Sequence, residues 1–283
     1  MSDNDEFVSR LSNTENIVSI IDLDFVMESQ QLISLLSPVK TKNDLMRIGG
    51  AHDGGYIIVE GWQPPLRAIS IGIGNEYSTE LQLLEFGFEI IAADGSVSNP
   101  FPATRDFQYT NAHIGGGTFE NVSNVSFDMF LSRHGWNCNV EIIKIDIEGM
   151  EYELLTNHIS EICKSRQIIV EFHGLELLGS KEFRMKIINL LRVINKTHKP
   201  VHVHGNNGGP GIKLAGGELP TLLEVTFLRN GDCLNERNYG PFPSNLDYPN
   251  IDSRPDIDLN VFFGKAPTFM EIPKRILSSL ERQ

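Results

Sequence analysis

Between Arg67 and Leu228 short apolar runs alternate with stretches whose apolar residues recur at helical spacing, and few folds accept that pattern. The apolar runs are Arg67–Ile73, Glu89–Ala93, Phe107–Ile114, Val140–Asp146, Gln167–Phe172, Pro200–His204 and Leu222–Leu228. Helical patterns cover Ser78–Phe86, Ser126–Leu131, the stretch from Met150 onward and Phe183–Ile194. Strands alternating with helices predict an α/β fold, a doubly wound and mostly parallel sheet of seven strands. The last two runs are joined by a Gly-rich loop without a helix, so one strand near the sheet edge should be reversed.

The flanks read differently. Residues 1–45 give a polar arm and then a packing helix at Asp24–Leu36, stopped ahead of Pro38. Met46–Val59 reads as a Gly-rich turn leading into a short strand, Tyr56–Val59. Residues 46–230 then form the main domain. Residues 231–283, rich in Pro and Asn with one helix pattern at Pro273–Leu280, form a loop-rich extension expected to pack on it. A chain of 283 residues with 40% hydrophobic content can bury a full core. No apolar run approaches the ~18 residues of a membrane span, and no signal-peptide pattern opens the chain. Cys138, Cys163 and Cys233 are sparse, odd in number and far apart, which fits a reducing cytoplasm better than a disulfide framework. A net charge of -13 without a basic stripe disfavours nucleic acid as a partner.

Chemistry is expected at the carboxyl ends of the strands, where open α/β sheets bind ligands. After the first strand, Gly72 and Gly74 permit a sharp turn and a close approach to a ligand. A dinucleotide fingerprint would need a third glycine where Tyr77 stands, which weakens a pyrophosphate reading. Asp94, at the end of the second strand, can accept both hydroxyl protons of a ribose. The fourth strand ends in Asp146, with Glu148 and Glu151 following. Those two suit the first turn of a helix, whereas Asp146, inside the strand end, calls for a functional reason. Glu171 and His173 end the fifth strand on one side, and His202 and His204 of a later strand add to this array of donors. Three uses are open. Asp146, Glu171 and His173 hold a divalent metal such as Mg. Alternatively His173 or Asp146 is a general base. The third use is support of the site floor. Lys144 should pair with one of these carboxylates.

The run Lys144–Leu155, K-I-D-I-E-G-M-E-Y-E-L-L, resembles the core motif of the FkbM-type methyltransferases, S-adenosylmethionine-dependent enzymes many of which act on hydroxyl groups. Ile71–Asn75 is similar to the family's first glycine motif and Ile168–His173 to its next strand. Arg47–Gly49, Asp53–Tyr56, His202–Asn207 and Leu223–Thr226 extend the resemblance over residues 45–230. It implies the sheet of a class I, Rossmann-like methyltransferase with an N-terminal helical extension. It implies S-adenosylmethionine held by Gly72, Gly74, Asn75, Asp94 and Gly95, with His113 toward the adenine and Asp53 and Tyr56 over the methionine end. The acceptor it implies is a hydroxyl on a small polar molecule or glycan. Two rival functions are a nicotinamide-dependent oxidoreductase and an inactive Rossmann-like binding or scaffold domain.

Overall fold

The computed structural model describes residues 14–100, 107–115, 124–214 and 217–264. Helix α1 (Thr14–Leu36) leads to strands β1 (Val39–Thr41), β2 (Leu45–Ile48) and β3 (Tyr56–Val59). The alternating region holds β4 (Arg67–Ile71), α2 (Ser78–Glu85), β5 (Glu89–Asp94), β6 (Phe107–Asn111), β7 (His113–Ile114) and β8 (Asn124–Val125). It continues with α3 (Phe127–Arg133), β9 (Ile142–Ile145), α4 (Glu151–Ile162), β10 (Gln167–Phe172), α5 (Lys181–Ile194) and β11 (His198–Gly205). A hairpin, β12 (Gly211–Leu214) and β13 (Gly217–Pro220), precedes β14 (Leu223–Arg229), β15 (Cys233–Arg237) and the short α6 (Asn260–Phe263). The helix expected at Pro273–Leu280, and Gly116 and Gly117, lie outside the described residues. Among the described helices none is long and apolar enough to cross a membrane.

Seven strands form the central sheet in the order β11-β14-β10-β9-β4-β5-β6. All neighbours pair in parallel except β14, which runs against both β10 and β11. This is the doubly wound, mostly parallel seven-stranded sheet expected from the alternation of strands and helices. The reversed strand was expected near the edge; it lies one place inside it. The edge itself is β11, which tolerates Pro200 because an edge strand can spare a ladder donor.

The sheet is covered on both faces, so its middle strands read as continuous apolar runs rather than alternating ones. Ile69, Ile71, Ile143, Ile145, Ile168 and Val170 join one core with residues of α1, α3, α4 and α5. Ala68, Ile90, Ile142 and Ile169 join a second core with Ile48, Tyr56 and Ile58 of the β2–β3 hairpin and Leu83 of α2. Lys144 and Glu171 continue the second set by alternation, so their side chains face the hairpin. After β4 the chain steps to β5 and β6, then crosses back to β9 on the other side. The switch point is therefore between β4 and β9, and a ligand crevice is expected at their carboxyl ends.

Two expected elements differ in extent. Helix α1 begins at Thr14, ten residues before Asp24 (24 − 14). Its described packing lies in the carboxyl half, where Leu32, Ile33 and Leu36 are buried and Glu28 pairs with Arg184 of α5. The apolar pattern tracked that packing and not the helix length. The third strand breaks at Ala112, whose N–H donates to the Thr110 carbonyl in a tight turn. β7 then leaves the sheet and pairs with β8.

The segment after β14 is fastened to the sheet. β15 pairs with β1. His202 Nε2 meets Asp247 Oδ2 at 3.1 Å and His204 Nε2 meets Asp256 Oδ1 at 3.0 Å, while Asn207 donates to the carbonyls of Ile251 and Arg254. The two histidines thus pin this segment instead of joining the donor array expected of them, because β14 lies between their strand and β10. Burial alone would depress His204, but Glu224 and Asp256 overcome it and hold the imidazole up to about 10. A raised histidine stabilises the fold fully below its unfolded value near 6.5 and loses that contribution as pH rises toward 10. The melting temperature should therefore fall between those limits, and His204→Gln should flatten the fall. An unchanged alkaline slope in His204→Gln would remove His204 as its source.

Candidate active site

The turn after β4 is set by two glycines in different ways. Gly72 has φ +82°, and a β-carbon there would lie 1.5 Å from the Asp146 carbonyl oxygen. Gly72 is thus the point where the β4 and β9 turns touch, and only a hydrogen fits between them. Gly74 has φ +61° and open space where its side chain would be. Its N–H and that of Ile73 donate to Asp94 Oδ2 at 2.8 and 2.7 Å. The Ser96 N–H and hydroxyl donate to Asp94 Oδ1, each at 2.6 Å. Burial disfavours the charged form of Asp94, but these four donors outweigh it, and the carboxyl stays below its ordinary range. Of the four, the Ser96 hydroxyl alone can rotate away, so it is the donor a ligand hydroxyl could replace.

A cleft runs along the carboxyl ends of β4, β5 and β9. One half is lined by Gly72, Asp94, Gly95 and His113, and a β-carbon on Gly95 would meet the His113 ring at 2.5 Å. Gly95 therefore lets the histidine lie against the end of β5. The other half is lined by Asp53, Tyr56, Gly74, Asn75 and Lys144, with Asp53 and Asn75 at the exposed rim. Thus all eight residues expected around a cofactor border one cleft.

Asp146 stands at its floor. Tyr56 donates its hydroxyl to Asp146 Oδ2 at 2.8 Å, and Lys144 Nζ lies 3.6 Å from the same oxygen. Lys144 also donates to the Gly72 carbonyl at 2.5 Å and lies 3.9 Å from Glu80. Burial works against its charge, yet Asp146 and Glu80 more than compensate and raise it above the ordinary lysine value. The expected ion pair of Lys144 is present. Asp146, Glu171 and His173 converge, with one donor atom of each within 4.8 Å of the others.

Electrostatics separates their roles. Burial, then the nearby Asp146 and Glu224, push the Glu171 carboxyl well above its ordinary value. Burial opposes the charge of His173, but Glu151, Glu171 and Asp146 raise it to about 9. At neutral pH His173 is therefore an imidazolium. Asp146 Oδ1 lies 3.9 Å from His173 Nε2.

Several supporting residues escaped the sequence reading. Glu151 is fully buried, not a surface charge at a helix start. It accepts from the Gly149 N–H at 2.8 Å and the His173 N–H at 2.7 Å, and so joins the ends of β9 and β10. Glu224 lies directly opposite Glu171 across the β10–β14 ladder, a buried like-charge pair that needs compensation. Asn206 donates to Glu171 at 2.8 Å, Asn250 donates to Glu224 at 2.7 Å, and His204 Nδ1 lies 3.1 Å from Glu224. Because β14 is reversed, its amino end arrives at the carboxyl edge of the parallel strands. That inversion gives Glu224 its place, and the quoted Leu223–Thr226 motif was the signal that pointed to it.

Comparison with known proteins gives one assignment, and it comes from sequence. No curated protein matches the chain in sequence. Among solved structures, the fibrillarin/Nop5p complex superposes with a TM-score of 0.36 at 12% identity, over 59% of this chain and 74% of that one. The 1,6-didemethyltoxoflavin-N1-methyltransferase of Burkholderia thailandensis, with bound S-adenosylhomocysteine, gives 0.33 at 10% identity, over 81% of this chain and 91% of that one. The N-methyltransferase NodS of Bradyrhizobium japonicum gives 0.29 at 10%, over 74% and 98%. These superpositions are loose and carry no weight in the assignment, which rests on sequence. Residues 52–192, which include Gly72, Asp94, Asp146, Glu171 and His173, match the model of the methyltransferase FkbM domain, and this segment of the chain belongs to that methyltransferase family.

Proposed function

We propose that the protein transfers the methyl group of S-adenosylmethionine to a hydroxyl of a small polar molecule or a glycan. One observation carries the reading: the glycine turn anchored by Asp94 opens onto the same cleft as Asp146. The residues fit the cofactor. Asp94 can take ribose hydroxyls in exchange for the Ser96 hydroxyl. Gly95 and His113 offer an adenine surface, and Asp53, Asn75 and Tyr56 border room for the methionine end. When bound, the cofactor supplies an electrophilic methyl on a sulfonium.

Asp146 is the residue that would take the acceptor proton. Tyr56 fixes its Oδ2, Lys144 sits beside it, and the His173 imidazolium offsets its charge. Alignment of the hydroxyl with the methyl supplies much of the remaining acceleration. Carboxylates and the amides of Asn206 and Asn250 suit a hydroxyl-rich or cationic acceptor and repel a phosphate-bearing one, so nucleic acid is not the acceptor proposed. The spacing of Asp146, Glu171 and His173 favours a second reading, a divalent cation that orients and acidifies the hydroxyl. His173 would have to lose its proton to ligate it.

Calorimetry tests the cofactor. S-adenosylmethionine and S-adenosylhomocysteine should bind in the micromolar range, on the order of -8 kcal/mol. Asp94→Ala should weaken both by about tenfold or more, the scale of a charged hydrogen bond, whereas Ser96→Ala should not. Unchanged affinity in folded Asp94→Ala would reduce Asp94 to a brace for the glycine turn. Transfer of labelled methyl to a panel of sugars, polyols and amino alcohols then tests the acceptor class; labelling confined to nucleic acid would refute it.

A further inference from the structure

Glu148 is the one non-glycine residue with positive φ, 52°, among the described residues. An L side chain there crowds its own backbone, so the conformation persists where surrounding structure imposes it. The imposition is visible. The Asp146 N–H donates to the Ile71 carbonyl at 2.9 Å, the Met150 N–H to the Ile147 carbonyl at 3.1 Å, and the Gly149 N–H to buried Glu151. Glycine would adopt this φ freely, yet the chain carries a glutamate. Its side chain is 88% exposed, with Oε2 3.4 Å from His173 Nε2. The His173 end of this contact is largely buried, but the glutamate end stands in water, which screens the attraction and leaves it little weight in the fold. A strained residue whose side chain does little for the free protein is explained by a ligand.

Its location selects the ligand group. The two halves of the cleft share Asp94, Ser96, Asp146 and Glu148. On the binding mode proposed above, the ribose lies at Asp94 and the methionine end at Asp53 and Tyr56. In S-adenosylmethionine the sulfonium is the atom that joins those two parts. Of the three carboxylates at the junction, Asp94 is held by four donors, and Asp146 by Tyr56 with Lys144 beside it. Glu148 is the one on the solvent side, with room to turn toward a cation. We infer that the Glu148 carboxylate faces the sulfonium and lets the site prefer charged S-adenosylmethionine over its neutral product, S-adenosylhomocysteine. The inference rests on the S-adenosylmethionine reading. Its consequence is faster exchange of product for fresh cofactor.

The experiment compares both ligands by calorimetry on the full chain, with thermal melts of the same proteins. Glu148→Gln should weaken S-adenosylmethionine about fivefold, the scale of unit charges a few Å apart at a protein–water boundary. S-adenosylhomocysteine should change by less than about twofold. Glu148→Gly should lose the same preference while melting higher by ~2 °C or more, because the backbone strain is relieved. Equal weakening of both ligands, or of neither, would overturn the sulfonium contact while leaving the cofactor reading intact. A drop in the Glu148→Gly melting temperature would make Glu148 a structural residue and end the proposal. Wild-type protein that binds neither ligand would overturn the cofactor reading, and this inference with it.

Discussion

Gly72→Ala is expected to destabilise the protein by at least about 4 kcal/mol, enough to unfold many domains of ordinary stability. Two costs add. The φ of +82° disfavours any side chain by about 1–2 kcal/mol. The larger cost is the contact, since the new β-carbon would lie 1.5 Å from the Asp146 carbonyl oxygen and 2.5 Å from its carbon. Neither is a flexible side-chain end that could swing aside, so the β4 and β9 turns would have to separate. That separation would also strip Lys144 from the Gly72 carbonyl and shift Asp146 from Tyr56. Gly74→Ala is the control. It shares a positive φ but meets open space, so it should lose only about 1 kcal/mol. Denaturant unfolding measures both. A Gly72→Ala protein of near-native stability that merely fails to bind cofactor would show that Gly72 makes room for a ligand, as the sequence alone suggested, and not for Asp146.

That contrast marks the limit of what the sequence conveys. Gly72 and Gly74 look equivalent in an Ile-Gly-Ile-Gly run, because the run encodes a turn and not what approaches it from Asp146, far along the chain. The alternation of strands and helices was legible, since each element buries a periodic face whatever its partners. So was the convergence of Asp146, Glu171 and His173, because all three follow from one rule about strand ends. The reversal of β14 was legible from its connection, but its position between β10 and β11 was not. Strand order is decided by long-range packing, and it exchanged the roles of two sets of residues. It put Glu224 opposite Glu171 and moved His202 and His204 out of the cluster to fasten Asp247 and Asp256. Glu151 was misread for a related reason. Charge at a helix start is normally solvated, and only tertiary structure shows the His173 N–H arriving to accompany it indoors.

Asp146→Asn is expected to reduce methyl transfer by ~100-fold or more while leaving the fold and cofactor affinity nearly unchanged. The substitution preserves shape and can still accept from Tyr56, but it removes the carboxylate beside the His173 imidazolium. The same loss is predicted whether Asp146 takes the proton or ligates a cation, so the variant needs a second measurement. If Asp146 acts as the base, exhaustive chelation leaves wild-type turnover intact, and calorimetry with magnesium gives no heat. If the triad holds a cation, chelation abolishes turnover, magnesium restores it, and Asp146→Asn and His173→Gln both lose the magnesium isotherm. Tyr56→Phe separates orientation from charge. It removes one hydrogen bond and keeps the carboxylate, so its loss should be several-fold at most, far short of that in Asp146→Asn. Full activity in folded Asp146→Asn would sink both readings. The acid cluster would then be a buried brace, held by Asn206, Asn250 and Glu151 for the rigidity of the sheet edge, and the proton would have to leave by another route.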